Sequence, residues 1–168
     1  MAKAVDLNFL RQVALFTDLS EDHLAALSSR LRERRLRKSE VLFRKGDAGD
    51  EMFLIRDGSV VISKPVVGRA EQVLTRMGPG DFFGEMSLFD QFPRSATVQA
   101  ETETRLLCLD RASLNQLIEI SPQTAAAIFY RLAQVLIRRL RDTGDLVEAV
   151  TLWGLEATGL DTEFKFPG

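Results

Sequence analysis

The chemistry in this sequence is concentrated between Gly80 and Val98, where Gly84-Glu85-Met86-Ser87-Leu88 precedes Pro93-Arg94-Ser95-Ala96-Thr97-Val98. A guanidinium such as Arg94 forks two N–H donors onto one oxyanion and therefore suits a phosphate. Gly84-Glu85 reads as the start of one helical turn, Glu85 to Phe89, whose first N–H groups lack an intrahelical partner and favour an anion. Ser95 and Ala96 are small, so their N–H groups approach an anion closely, and the Ser95 hydroxyl adds a donor. Glu85 is misplaced beside an anion unless it accepts from a hydroxyl. A ligand with a phosphate next to a ribose hydroxyl answers both side chains at once. The competing reading is an internal Glu85–Arg94 salt bridge with no ligand.

Other chemistries find few residues to work with. The 168 residues hold one His and one Cys, so the usual zinc sites and an internal disulfide are excluded, and any relay must run through His23. His23 reads as an exposed helix residue, and Cys108, between Leu107 and Leu109, as a small core residue. Neither a nucleophile with a partner nor an acid–base pair emerges, so an enzyme is not expected, nor a metal or cofactor. The 22 basic against 24 acidic residues leave a charge of -2, which gives no overall attraction to nucleic acid or anionic membranes. The basic stretch Arg30–Lys38 has no interleaved aromatic and reads as a solvated helix end and edge strand. No apolar run approaches the roughly 18–20 residues of a membrane span. The start, Met1 to Asp6, meets an acid before any signal core, so the expectation is a soluble cytoplasmic protein.

The elements that must position these residues change period along the chain. Residues 1–33 read as helical, with Leu7, Leu10, Val13, Ala14 and Phe16 at helix spacing and Ser20 as an N-cap before Glu21-Asp22. Residues 34–120 hold short β-prone runs at Val41–Phe43, Met52–Ile55, Val60–Ile62, Gln72–Leu74, Ser95–Ala100 and Thr104–Leu109. Asp57-Gly58 reads as a two-residue hairpin turn, and Gly46–Asp50, Gly68 and Gly78–Asp81 as further turns. Many short strands with frequent turns argue for a mainly β sandwich or jelly roll. Residues 121–143 read as a helix opened by Ser121-Pro122 and ended or loosened by Gly144, and residues 144–168 as a short apolar tail.

The two halves of the 80–98 segment resemble the phosphate-binding cassette of the cyclic nucleotide-binding domain family, shared by catabolite activators, kinase regulatory subunits and nucleotide-gated channels. Gly46, Asp50–Ile55, Asp57-Gly58-Ser59-Val60 and Phe16–Ser20 resemble the family's flanking turns and lead-in, so the resemblance covers about residues 8–142. It implies an eight-stranded β-roll flanked by N-terminal helices and a long C-terminal helix. It implies cyclic AMP, in preference to cyclic GMP, as the ligand of a regulatory sensor domain whose C-terminal helix moves on binding. Arg94 would take the exocyclic phosphate oxygens and Glu85 the ribose 2′-hydroxyl. The N–H groups of Glu85, Met86, Ser95 and Ala96 would complete the cradle, with Gly84 allowing close approach and Ser87 in the small position. Thr143 falls where catabolite-activator relatives set a hydroxyl against adenine. A homodimer through the C-terminal helix and an unidentified protein effector are further expectations. Residues 144–168 hold one basic residue, Lys165, so direct DNA reading is not expected. The alternative is a ligand-free module of the same fold that serves interaction or dimerisation.

Overall fold

Side-chain caps start the two leading helices. Asp6 accepts from the Asn8 N–H (2.9 Å) at the head of α1 (Leu7–Gln12). Ser20 accepts from the His23 N–H (3.3 Å) at the head of α2 (Glu21–Ser28), whose first turn carries Glu21 and Asp22. α1 is shorter than the apolar spacing predicts. Val13 is extended, and Leu15 and Phe16 are fully buried from a turn rather than from a helix face. The structure, a computed structural model, describes residues 6–65 and 71–158. The chain divides into one unit up to Phe129 and a second from Tyr130.

Eight strands are found among the described residues: β1 (Arg32–Leu36), β2 (Val41–Phe43), β3 (Glu51–Asp57), β4 (Val60–Pro65), β5 (Glu71–Met77), β6 (Phe82–Phe83), β7 (Thr97–Ala100) and β8 (Thr104–Asp110). The antiparallel pairing is nested: β1 with β8, β2 with β7, β3 with β6 and β4 with β5. One long two-stranded ribbon is thus wrapped on itself into two sheets of order β1-β8-β3-β6 and β2-β7-β4-β5, the jelly roll expected from the turn spacing. Between the sheets lies a core that includes Leu36, Leu42, Phe53, Ile55, Phe83, Val98 and Leu106. Phe53 stacks on Phe83 with centroids 5.4 Å apart. Cys108 is buried in this core, and burial pushes its thiol up to about 12.

Asp57-Gly58 is not a hairpin. β3 pairs with β6 and β8, and β4 with β5 and β7, so the two residues carry the ribbon from one sheet to the other. Gly58 has φ +83°, whereas Asp57 does not take the positive φ that a type I′ turn needs at both central residues. Space also demands the glycine, because a Cβ there would run into the Glu103 carbonyl and lie 2.8 Å from the Thr104 Cα. The edge reading of the basic stretch holds for β1, which pairs only with β8 and exposes Arg32, Glu33, Arg34 and Arg35. Arg32 bridges Glu51 (2.7 Å) and Asp110 (2.8 Å).

After the roll come α3 (Arg111–Ile120), a helix that the sequence reading placed within the β segment, and α4 (Pro122–Thr158). Asp110 caps α3 by accepting from the Ser113 N–H at 2.7 Å, a bond that holds its carboxyl below the usual range. α4 opens at Pro122, as Ser121-Pro122 predicts. Gly144 does not end it, however: the helix runs on to Thr158, and a Cβ at Gly144 would meet nothing within 4 Å. The Gly68 turn, the side chains of the apolar run Leu146–Leu155 and residues 159–168 lie outside the described residues. No helix among the described residues is long and apolar enough to cross a membrane.

Candidate functional site

Arg94 is fixed first through its backbone. Its N–H donates to the Asp47 carbonyl (2.8 Å), and its own carbonyl accepts from the Gly46 N–H (2.9 Å), so the Gly46–Asp50 turn sets where the side chain starts. The guanidinium is buried and lies 4.2 Å over the centroid of Phe43 and 5.5 Å from that of Phe53. Nη1 donates to the Glu51 carbonyl (2.9 Å), the Ser87 hydroxyl (3.1 Å) and the Gly84 carbonyl (3.4 Å). Nε is buried and has no hydrogen-bond partner. Burial draws the guanidinium below its usual pKa, while the carboxylates of Glu51, Asp50 and Asp47 act in the opposite direction. Arginine stays protonated through such changes, so Arg94 is a buried cation with one donor edge unspent. A buried donor without a partner costs about 1–3 kcal/mol, more when charged, and an oxyanion removes that cost. The residues present therefore fit a phosphate group.

The 3-10 turn Glu85–Leu88 meets this cation through the Ser87 hydroxyl. Gly84 leads into it at φ +76°, and a Cβ there would lie 2.8 Å from Arg94 Nη1 and 3.2 Å from the Glu51 carbonyl oxygen. Conformation and space both require glycine at that point. Glu85 and Ser87 are buried, while Met86 is 56% exposed, so Met86 can serve the site only through its backbone. Ala96 is buried and Ser95 exposed, and among the described residues neither N–H donates to a backbone carbonyl. The Arg94 hydrogen bonds go to two carbonyls and the Ser87 hydroxyl rather than to the Glu85 carboxylate, so the direct salt bridge is not formed. Ser87, expected among the ligand contacts, spends its hydroxyl oxygen on Arg94. Thr143 belongs to the second unit, where its hydroxyl donates to the Arg139 carbonyl at 2.8 Å.

Several contributors escaped the sequence reading. Gly49 was read only as a turn residue, yet a Cβ there would run into the Arg94 guanidinium. The Glu51 carbonyl has no signature in sequence, because every residue carries one. Phe43 and Phe53 were read as strand residues and also form the aromatic floor under Arg94. Arg111 carries no motif signal in sequence, although its side chain donates to the carbonyls of Ser87, Leu88 and Asp90 at the end of the 3-10 turn.

A β-roll that buries an arginine beside a glycine-led turn is an arrangement whose residues fit an anion. The family model of the cyclic nucleotide-binding domain matches residues 33–121, and the chain belongs to that family. It is 34% identical over 136 residues to the CRP-like cAMP-activated global transcriptional regulator of Mycobacterium tuberculosis, covering 81% of this chain and 59% of that protein. It is 30% identical to the cAMP-dependent protein kinase regulatory subunit of Mycosarcoma maydis, over 95% of this chain and 31% of that protein. The crystal structure of a cyclic nucleotide-binding domain from Methylobacillus flagellatus superposes with a TM-score of 0.75 at 31% identity, covering 85% of this chain and 80% of that one. The chain thus spans less than two thirds of the length of both named curated relatives.

Proposed function

We propose that this chain is a sensor that binds a cyclic nucleoside monophosphate without altering it, cyclic AMP in preference to cyclic GMP. The observation that carries this is the buried Arg94 guanidinium, whose three hydrogen bonds all leave Nη1 while Nε has none. The exocyclic phosphate oxygens take the unspent donors of Arg94 and the N–H groups of Ser95 and Ala96. The N–H groups of Glu85 and Met86 add to that cradle, and the Glu85 carboxylate accepts from the ribose 2′-hydroxyl. For the base, the family resemblance points to Thr143, whose hydroxyl would accept from the adenine amino group. The cyclic AMP preference is further supported by the mycobacterial relative, whose name says it is activated by that nucleotide.

Binding acts by population shift. Nucleotide moves α4 between placements only by as much as its affinity differs for the two, and a protein effector or a second copy reads the result. Isothermal titration with cyclic AMP, cyclic GMP and 5′-AMP tests the proposal. Saturable heat with cyclic AMP, weaker with cyclic GMP and absent with 5′-AMP, is expected. No saturable heat with either cyclic nucleotide leaves a packing module of the same fold.

A further inference from the structure

Arg111 is the first residue of α3, and its side chain points away from that helix toward the cassette. Nε donates to the Leu88 carbonyl (3.2 Å), and Nη2 donates to the Ser87 carbonyl (2.6 Å) and to the Asp90 carbonyl. These acceptors sit at the C-terminal end of the 3-10 turn, where carbonyls lack helical partners and attract a cation. The Arg111 N–H donates to the Asp50 carbonyl (2.9 Å), one residue before the Glu51 carbonyl that holds Arg94. Ser87 is therefore gripped twice, its hydroxyl by Arg94 (3.1 Å) and its carbonyl by Arg111 (2.6 Å). α3 does not need this side chain for its own start, because Asp110 already caps it through the Ser113 N–H.

We propose that Arg111 is a positioning residue for the nucleotide site, and that Ser87 relays between it and Arg94. The inference rests on the cyclic nucleotide reading above. Arg111 sets the height and tilt of the turn that carries Glu85, using the fork of a guanidinium on several acceptors at once, which a lysine cannot reproduce. A phosphate that engages the unspent edge of Arg94 pulls on the same planar guanidinium that Ser87 and Gly84 hold through Nη1. Any shift of Ser87 then reaches the head of α3 through the Arg111 fork.

The test compares wild type, Arg111→Met, Arg111→Lys, Ser87→Ala and the Arg111→Met/Ser87→Ala double variant. Cyclic AMP affinity is read by calorimetry, stability by thermal melting, and the turn by amide exchange at Ser87, Phe89 and Asp90 without nucleotide. Methionine keeps the stem and removes the donors. Arg111→Met is expected to weaken binding at least tenfold and to speed exchange at those amides with little change in melting, while Arg111→Lys recovers part of both. The double variant is expected to lose less than the product of the single losses. Affinity within twofold of wild type together with unchanged exchange overturns the positioning role, and losses that multiply overturn the relay. If Arg111→Met does not melt cooperatively, Arg111→Leu, which also lacks the donors, is measured against the same thresholds. Should wild type bind no cyclic nucleotide, the functional reading fails by itself, and the exchange data still decide whether Arg111 holds the turn.

Discussion

Arg94 concentrates several demands on one side chain: a place over Phe43, three bonds from Nη1, and a buried Nε in need of an acceptor. Charge-assisted hydrogen bonds contribute about 1.5–3 kcal/mol each. At 1.4 kcal/mol per decade, Arg94→Ala is expected to weaken cyclic AMP binding at least ~10²-fold, as measured by titration calorimetry. Near-unchanged affinity places the phosphate elsewhere. Glu85→Gln loses less, because an amide oxygen still accepts from the 2′-hydroxyl. Replacing cyclic AMP by its 2′-deoxy analogue then lowers affinity more for wild type than for Glu85→Gln, and equal losses remove Glu85 from the ribose.

Cys108 gives a separate prediction at the same scale. Burial first, then the Glu51 charge, raise its thiol from the usual 9.0 to about 12. The unfolded chain releases that proton earlier than the folded one, so the folded state is fully favoured below about 9.0 and loses stability as pH rises toward about 12. The slope is about 1.4 kcal/mol per pH unit within that window. Urea midpoints at pH 8 and 10 are expected to fall apart for wild type and to draw together in Cys108→Ala. An equal drop in both refutes the assignment. Residue types were the most legible layer of the candidate site: Gly84 and Arg94 stood out by type and do come together in the structure, and Glu85, Ser95 and Ala96 flank them. Carbonyl contacts such as those of Glu51 and Ser87 were not legible, since the main chain is the same at every position.

Among the elements, strand positions were legible and strand partners were not. Short apolar runs between turns announced most of the strands, but β6 has only two residues and leaves no periodicity to detect. Asp57-Gly58 carries the composition of a hairpin, and nothing local reports that β3 and β4 belong to different sheets. What distinguishes the site is the loop packed against Gly58, a contact made about 45 residues away in sequence. Gly58→Ala therefore combines a left-handed φ with a collision against backbone, and a loss of more than about 1 kcal/mol is expected. Chemical denaturation measures it, and a neutral result shows that the Glu103–Thr104 loop yields. Gly144 misled in the other direction. A helical glycine costs only about 1 kcal/mol relative to alanine, which a helix of 37 residues absorbs without breaking. Gly144→Ala is expected to raise the melting temperature, because the added methyl group meets no neighbour within 4 Å.

For the molecule as a whole, ligand and stability are linked by mass action. A nucleotide that binds only the folded chain stabilises it by about 2.7 kcal/mol at a hundred times its dissociation constant. The melting temperature is therefore expected to climb with the logarithm of cyclic AMP concentration and to ignore 5′-AMP. A flat response denies specific binding to the folded state. The fold class and the C-terminal helix were legible at this scale because binary patterning changes period, whereas the helix end was not, because Gly144 looked like a stop.

The nested ribbon has a further consequence for how the protein is made. β1 closes against β8, so Arg32 waits for Cys108 and Leu36 for Thr104. A ribosome delivering this chain from its N-terminus releases the first strand long before its hydrogen-bonding companion exists. β4 and β5 are neighbours in the chain and can meet soon after synthesis, so the nesting favours closure outward from that innermost pair. The charged faces of β1 then protect an orphan strand from neighbouring nascent chains while it waits for Asp110 to emerge.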